Sequence, residues 1–144
     1  MTITPISDDS VQASLRRSQL WFSRVASLFN ICLLAQVLTV GIAYFHNPEW
    51  WKIHIWLVRG YSWLSLLLLV WVFLNPFPQR VRSLTVSMPV LLGMQFLTIH
   101  LKSSLPLAVL HPLIGFMLFS VSTTLVHRAR HLVFPTPDDE IYAN

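Results

Sequence analysis

Four long apolar runs, separated by short polar punctuation, set the pattern of this chain. They cover about residues 25–45, 53–74, 84–101 and 106–126. A bilayer core of about 30 Å takes roughly 20 helical residues to cross, so each run has the length of a membrane span. The connections carry turn residues: His46-Asn47-Pro48-Glu49, Asn75-Pro76-Phe77-Pro78-Gln79, and Lys102-Ser103-Ser104 ahead of Leu105-Pro106. Short loops make consecutive helices antiparallel neighbours, and the pattern predicts an all-α membrane protein, a four-helix up-down-up-down bundle. Pro106 falls at a helix start, where its missing N–H costs nothing. Pro89 and Pro112 fall inside helices 3 and 4 and are expected to bend them.

Composition agrees with this pattern. Apolar residues make up 54% of the chain and charged ones 11%, against the roughly 25% charged of a soluble domain. The formal charge of +4 does not point to nucleic acid, because the basic residues form short clusters between the apolar runs and no continuous stripe. Cys32 is the single cysteine, which excludes an intrachain disulfide. The first 24 residues carry Asp8 and Asp9 and lack the basic-then-apolar order of a signal peptide, so they read as a cytoplasmic N-terminal segment. Residues 11–24 mix apolar side chains with three arginines; either an amphipathic segment along the membrane surface or a plain extension of helix 1 satisfies that pattern. Residues 127–144 form a tail whose acidic end, Asp138-Asp139-Glu140, has too little apolar content to fold alone.

Charge also sets an orientation. Arg16, Arg17, Arg24, Arg80, Arg82, Arg128 and Arg130 flank the runs on one side, and only Lys52 and Lys102 on the other. Seven against two places both termini in the cytoplasm by the positive-inside rule.

The two halves of the bundle look like copies of one hairpin. Helix 1 contains Gln36-Val37-Leu38-Thr39-Val40 and helix 3 contains Gln95-Phe96-Leu97-Thr98-Ile99. His54 follows Gln36 by 18 residues, and His111 follows Gln95 by 16, each in the first turns of the next helix. Gly60 and Gly115 then lie beyond the two histidines. Such a repeat gives an approximate axis along the membrane normal.

Ionisable groups inside a membrane are costly and are candidates for function. Here they are His54, Arg59, His100 and His111, with Gln36 and Gln95 as neutral companions. Helices 2 and 4 run in the same direction, so His54 and His111 are expected at matching depth. Two neutral imidazoles facing each other across a dry slot are axial ligands for haem iron, and a doubly ligated haem carries electrons without an open position for oxygen. His54 and His111 are therefore the expected metal ligands of a b-type haem. Tyr61, seven residues after His54, shares its helix face and is expected to line the same slot. Arg59 falls on a different face, where it reaches a propionate, snorkels outward or meets an acid on a partner. His100, at the end of helix 3, competes for the ligand role. His46 sits in a loop, and His127 and His131 belong to an arginine cluster suited to lipid headgroups. No acidic residue lies within the apolar runs, and no phosphate-binding, nucleophile-elbow or CxxC motif is present.

With Gln95 and His111-Pro112 in view, the chain resembles a poorly characterised family of small four-helix bacterial membrane proteins. More remotely, the order glutamine, short loop, histidine is similar to one half-bundle of haem A synthase and to membrane b-type cytochromes. That likeness implies His54 and His111 as haem ligands, and a bacterial inner or photosynthetic membrane as the location. The chain departs from it in having no second bundle, and the glycine-rich turns after the glutamine are reduced to Gly41 in one repeat and missing in the other. The resulting expectation is a small cytochrome b passing electrons near the outer face of the lipid bilayer. A competing expectation is an accessory or assembly subunit of a larger energy-transducing complex, its membrane tryptophans Trp56, Trp63 and Trp71 meeting other subunits.

Overall fold

The computed structural model describes residues 8–101 and 107–134. Four helices long and apolar enough to cross a membrane make up almost all of this: α1 (Asp8–Phe45), α2 (Trp50–Leu74), α3 (Gln79–His100) and α4 (His111–Val133), the last preceded by a short 3₁₀ turn (Leu107–Leu110). The stretch from Lys102 to Pro106 and the acidic tail lie outside the described residues. The helices pack in a ring, α1 beside α2, α2 beside α3, α3 beside α4 and α4 back against α1. Helices α1 and α3, and likewise α2 and α4, therefore stand on diagonals.

The helices outrun the apolar spans. Helix α1 is unbroken from Asp8, so the arginine-bearing lead-in continues helix 1 and does not form a separate surface segment. Helix α3 begins at Gln79, directly after Pro78, whose fixed φ cannot follow a helical turn but readily precedes one. Helix α4 continues through His127, Arg128, Arg130 and His131, stacking the two imidazoles one turn apart with ring centroids 4.4 Å apart. Pro112 differs from expectation. It lies in the first turn of α4, where its absent N–H leaves no bond unmade, so it starts the helix and does not bend it.

The buried positions recur every three to four residues: Phe22, Ala26, Phe29 and Leu33 on α1; Tyr61, Ser65, Leu68 and Val72 on α2; Val81, Thr85, Met88 and Leu92 on α3; Ile114, Leu118, Ser122, Leu125 and Ala129 on α4. That spacing keeps one seam of each helix toward the axis of a bundle. The outer surface is itself largely apolar. Trp56 and Trp63 are 70% and 71% exposed and Phe45 86%, while Ser65, Thr85 and Ser122 are buried. Small residues at the seam let backbones approach closely, as membrane bundles require where apolar burial gives no net drive.

One end is fixed by a polar knot. The Trp71 indole donates to Ser18 Oγ at 2.9 Å, and Ser18 in turn donates to Asn75 Oδ1 at 2.8 Å. Asn75 Nδ2 donates back to the Trp71 carbonyl at 3.0 Å, and Phe22 packs against Phe77 with centroids 4.5 Å apart. This end carries Arg16, Arg17, Arg80, Arg82, Arg128 and Arg130. The opposite end carries the glutamine and histidine pairs.

Candidate functional site

Gln36, one helical turn before Thr39, faces His54 in the first turns of α2. The Gln36 amide nitrogen lies 3.0 Å from His54 Nε2 and 3.1 Å from the His54 carbonyl oxygen. A carbonyl only accepts, so the group pointing at it is the amide N–H₂, and His54 Nε2 must accept as well. Thr39 Oγ1 donates to the Gln36 carbonyl at 2.7 Å and stands 3.3 Å from His54 Nδ1. With its own proton committed, the hydroxyl accepts from Nδ1–H. Two independent contacts thus assign one tautomer: the proton sits on Nδ1 and the lone pair on Nε2.

The second half repeats the arrangement in part. Thr98 Oγ1 donates to the Gln95 carbonyl at 2.9 Å, as Thr39 does to Gln36. His111 Nδ1 is buried with no partner among the described residues. The side-chain oxygens of Gln36 and Gln95 are likewise buried and unpaired. An unmatched buried polar atom costs roughly 1–3 kcal/mol. Arg82 Nε and Ser122 Oγ are also buried and unpaired among the described residues.

The structure brings Gln36 and Thr39 onto His54, and sets the Gln95 amide over Gly115 of α4, one turn beyond His111. It does not bring in the other candidates. Tyr61 is buried two turns below His54, edge-on to Phe29 at 5.4 Å, and belongs to the core beneath the pair. Arg59 is exposed and lies over the Trp56 ring at 5.7 Å, on the outer face of α2. His100 is exposed, its Nδ1 2.8 Å from the Phe96 carbonyl of its own helix. A groove of about 610 Å³ between α1 and the end of α4 lies at the arginine end, remote from the histidines. The threonines are the members that sequence reasoning left without a role. Their signal was present, since Gln-x-Leu-Thr occurs in both halves at the spacing of one helical turn.

Residues 36–101 match the family of unknown function DUF6220. The match starts at Gln36 and takes in Thr39, His54, Gln95 and Thr98, covers less than half of the chain, and stops before His111. No curated protein matches the chain, and no solved structure does.

The pair can be tested against haem on these contacts. A histidine that ligates through Nε2 needs its Nδ1–H held by an oxygen acceptor, which fixes the ring and raises its basicity. His54 has that arrangement, with Thr39 as the acceptor. His111, half-buried on the diagonal helix, has no such acceptor on its Nδ1, and the Nε2 of His54 is already met by the Gln36 amide. Among the described residues no group of three or more His, Cys, Asp or Glu gathers to hold a bare metal ion.

Proposed function

We propose that the protein is a small membrane cytochrome b in which His54 and His111 hold one haem between α2 and α4. The observation that carries this reading is the Thr39 contact on His54 Nδ1, which favours a proton there and leaves Nε2, now facing the Gln36 amide, as the lone-pair side of the ring. A bound haem would supply one-electron chemistry, and the chain would supply two axial imidazoles and a largely apolar surround. The repeat supports the pairing by giving each hairpin one histidine following one Gln-x-Leu-Thr segment. With seven arginines flanking the spans on one side, we place that side in the cytoplasm, with both termini, and the histidines near the outer face.

Absorbance tests this reading. Protein purified from cells supplied with haem should show a Soret band and the sharp α-band of a low-spin ferrous haem. His54→Ala or His111→Ala should each abolish the low-spin spectrum while the protein still inserts. Absence of a Soret band from the wild type would end the cytochrome reading.

The competing reading, an accessory subunit without a cofactor, draws on one observation. Both ring nitrogens of His54 are already met by protein groups, so Gln36, Thr39 and His54 also serve as a latch between α1 and α2. In that case His54→Ala would weaken the α1–α2 contact and change no spectrum.

A further inference from the structure

The groove at the arginine end has one long wall and one short one. Gln12, Arg16 and Gln19 stand a turn apart along one face of α1, with Leu15 beside them, and Leu132 and Val133 form the facing wall. The α1 wall runs from Asp9 to Gln19, while α4 contributes only its last two residues. The groove therefore continues past the point where α4 stops. Every residue of α1 from Asp8 to Ser14 is exposed.

Charge at this end is out of balance. Among the described residues no carboxylate pairs with Arg16, and the ion pair they form, Lys52 with Glu49, lies at the opposite end. The sequence has six carboxylate side chains, and three of them, Asp138, Asp139 and Glu140, begin five residues after Val133. Five residues of extended chain span up to about 17 Å, and the α1 wall from Asp9 to Gln19 rises about 15 Å. The acids thus reach any part of the groove.

We propose that this groove is the docking site of the chain's own residues 135–144, with Asp138, Asp139 and Glu140 set against Arg16 and the neighbouring Arg17, and Ile141 and Tyr142 against Leu15 and Leu132. One exposed ion pair contributes little. Three acids tethered at the mouth of the groove act together, at the high effective concentration that a short connection gives. Pro135 and Pro137 favour an extended lead from α4 into the groove. Docking of this kind is independent of haem, and it covers cationic side chains that would otherwise attract anionic lipid headgroups.

Disulfide trapping in neutral-detergent micelles reads the docking. In a Cys32→Ala background, Gln12→Cys is paired with Tyr142→Cys, and Gln79→Cys, at the start of α3 on the same end of the bundle, replaces Gln12→Cys in the control. The groove pair should oxidise at least about tenfold faster than the control, as a docked segment requires over a merely tethered one, and should give monomers at a rate independent of protein concentration. High salt, Arg16→Gln, or Asp138→Asn with Asp139→Asn and Glu140→Gln should each slow it at least about threefold. Circular dichroism identifies any variant that fails to assemble, and the salt and tail variants then carry the test. Equal rates for the groove and control pairs would overturn the docking, and so would a fast groove pair that ignores both salt and charge. Disulfide-linked dimers that grow with concentration would give the groove to a second copy. Phosphatidylglycerol binding by the full-length chain that Arg16→Gln weakens, with no preference for the groove pair, would give it to a lipid headgroup; either result overturns the proposal.

Discussion

The amide nitrogen of Gln95 stands 2.7 Å from the point a Cβ on residue 115 would occupy, so the absent side chain of Gly115 is what lets Gln95 lie flat against α4. The other three glycines have nothing within 4 Å of that point. Gly41→Ala, Gly60→Ala and Gly93→Ala should therefore stabilise their helices by up to about 1 kcal/mol, the propensity difference between glycine and alanine. Gly115→Ala gains the same amount but must push aside the end of a flexible side chain, and the net change should be near zero. Unfolding in mixed micelles checks this; a Gly115→Ala gain as large as that of the other three would mean that the contact with Gln95 carries no energy.

The Ser18, Trp71 and Asn75 knot ties α1 to the end of α2 where each group has a partner. Ser18→Ala removes an acceptor and a donor together and leaves the Trp71 N–H and Asn75 Oδ1 unmatched. A cost of about 1–2 kcal/mol is expected, against about half that for Trp71→Phe, which leaves fewer groups unpaired. A double-mutant cycle on the pair should return a coupling of at least about 0.5 kcal/mol. Strict additivity would show that the indole and hydroxyl do not act together.

The bundle was legible in the sequence because a membrane span needs length and apolarity alone, and both are read residue by residue. The helix ends were less so. Nothing in the composition of residues 11–24 separates a surface helix from an extension of α1, since both expose the same arginines. The repeat singled out Gln36, Gln95, His54 and His111, and the contact of Gln36 with His54 follows from their places on adjoining helices. The roles of Thr39 and Thr98 were not legible, because a threonine in a membrane helix bonds to its own backbone by default, and only the position of the His54 ring reveals that Thr39 does more.

The proposed orientation rests on charge, and it would set the histidines near the outer face. A cytoplasm-active reporter fused after Asn144 should be active, and a periplasm-active one should not. Changing Arg80 and Arg82 to Glu, between α2 and α3, removes two of the seven arginines on that side and should lower the cytoplasmic signal without inverting every molecule. A wholly external signal from the wild-type fusion would reverse the proposed orientation.

Arg59 and His100 carry charge or a ring nitrogen at the histidine end but face outward, Arg59 on Trp56 and His100 on its own helix. Arg59→Ala and His100→Ala should leave any haem spectrum unshifted. Their effect on stability should stay within about 0.5 kcal/mol, the range of surface substitutions. A His100→Ala variant that lost the low-spin spectrum while His54→Ala kept it would move the ligand to α3.

Thr39 and Thr98 form the same hydrogen bond to the glutamine three residues before them, so any difference between their variants isolates what Thr39 does for His54. Valine matches threonine in shape and lacks the hydroxyl. In Thr98→Val the Gln95 carbonyl gives up a supplementary donor, and the expected change is below about 0.5 kcal/mol. In Thr39→Val the Nδ1–H of His54 loses its acceptor within a half-buried cluster, which costs about 1–3 kcal/mol if no other acceptor replaces it. The ring would also be free to carry its proton on Nε2 and donate to Gln36 Oε1, which is unpaired in the wild type. Nitrogen-15 spectra of labelled histidine distinguish the two tautomers: the wild type should show the proton on Nδ1, and Thr39→Val should move it at least partly to Nε2. Equal destabilisation by the two valine variants, with no change of tautomer, would show that the Thr39 hydroxyl serves only its own helix.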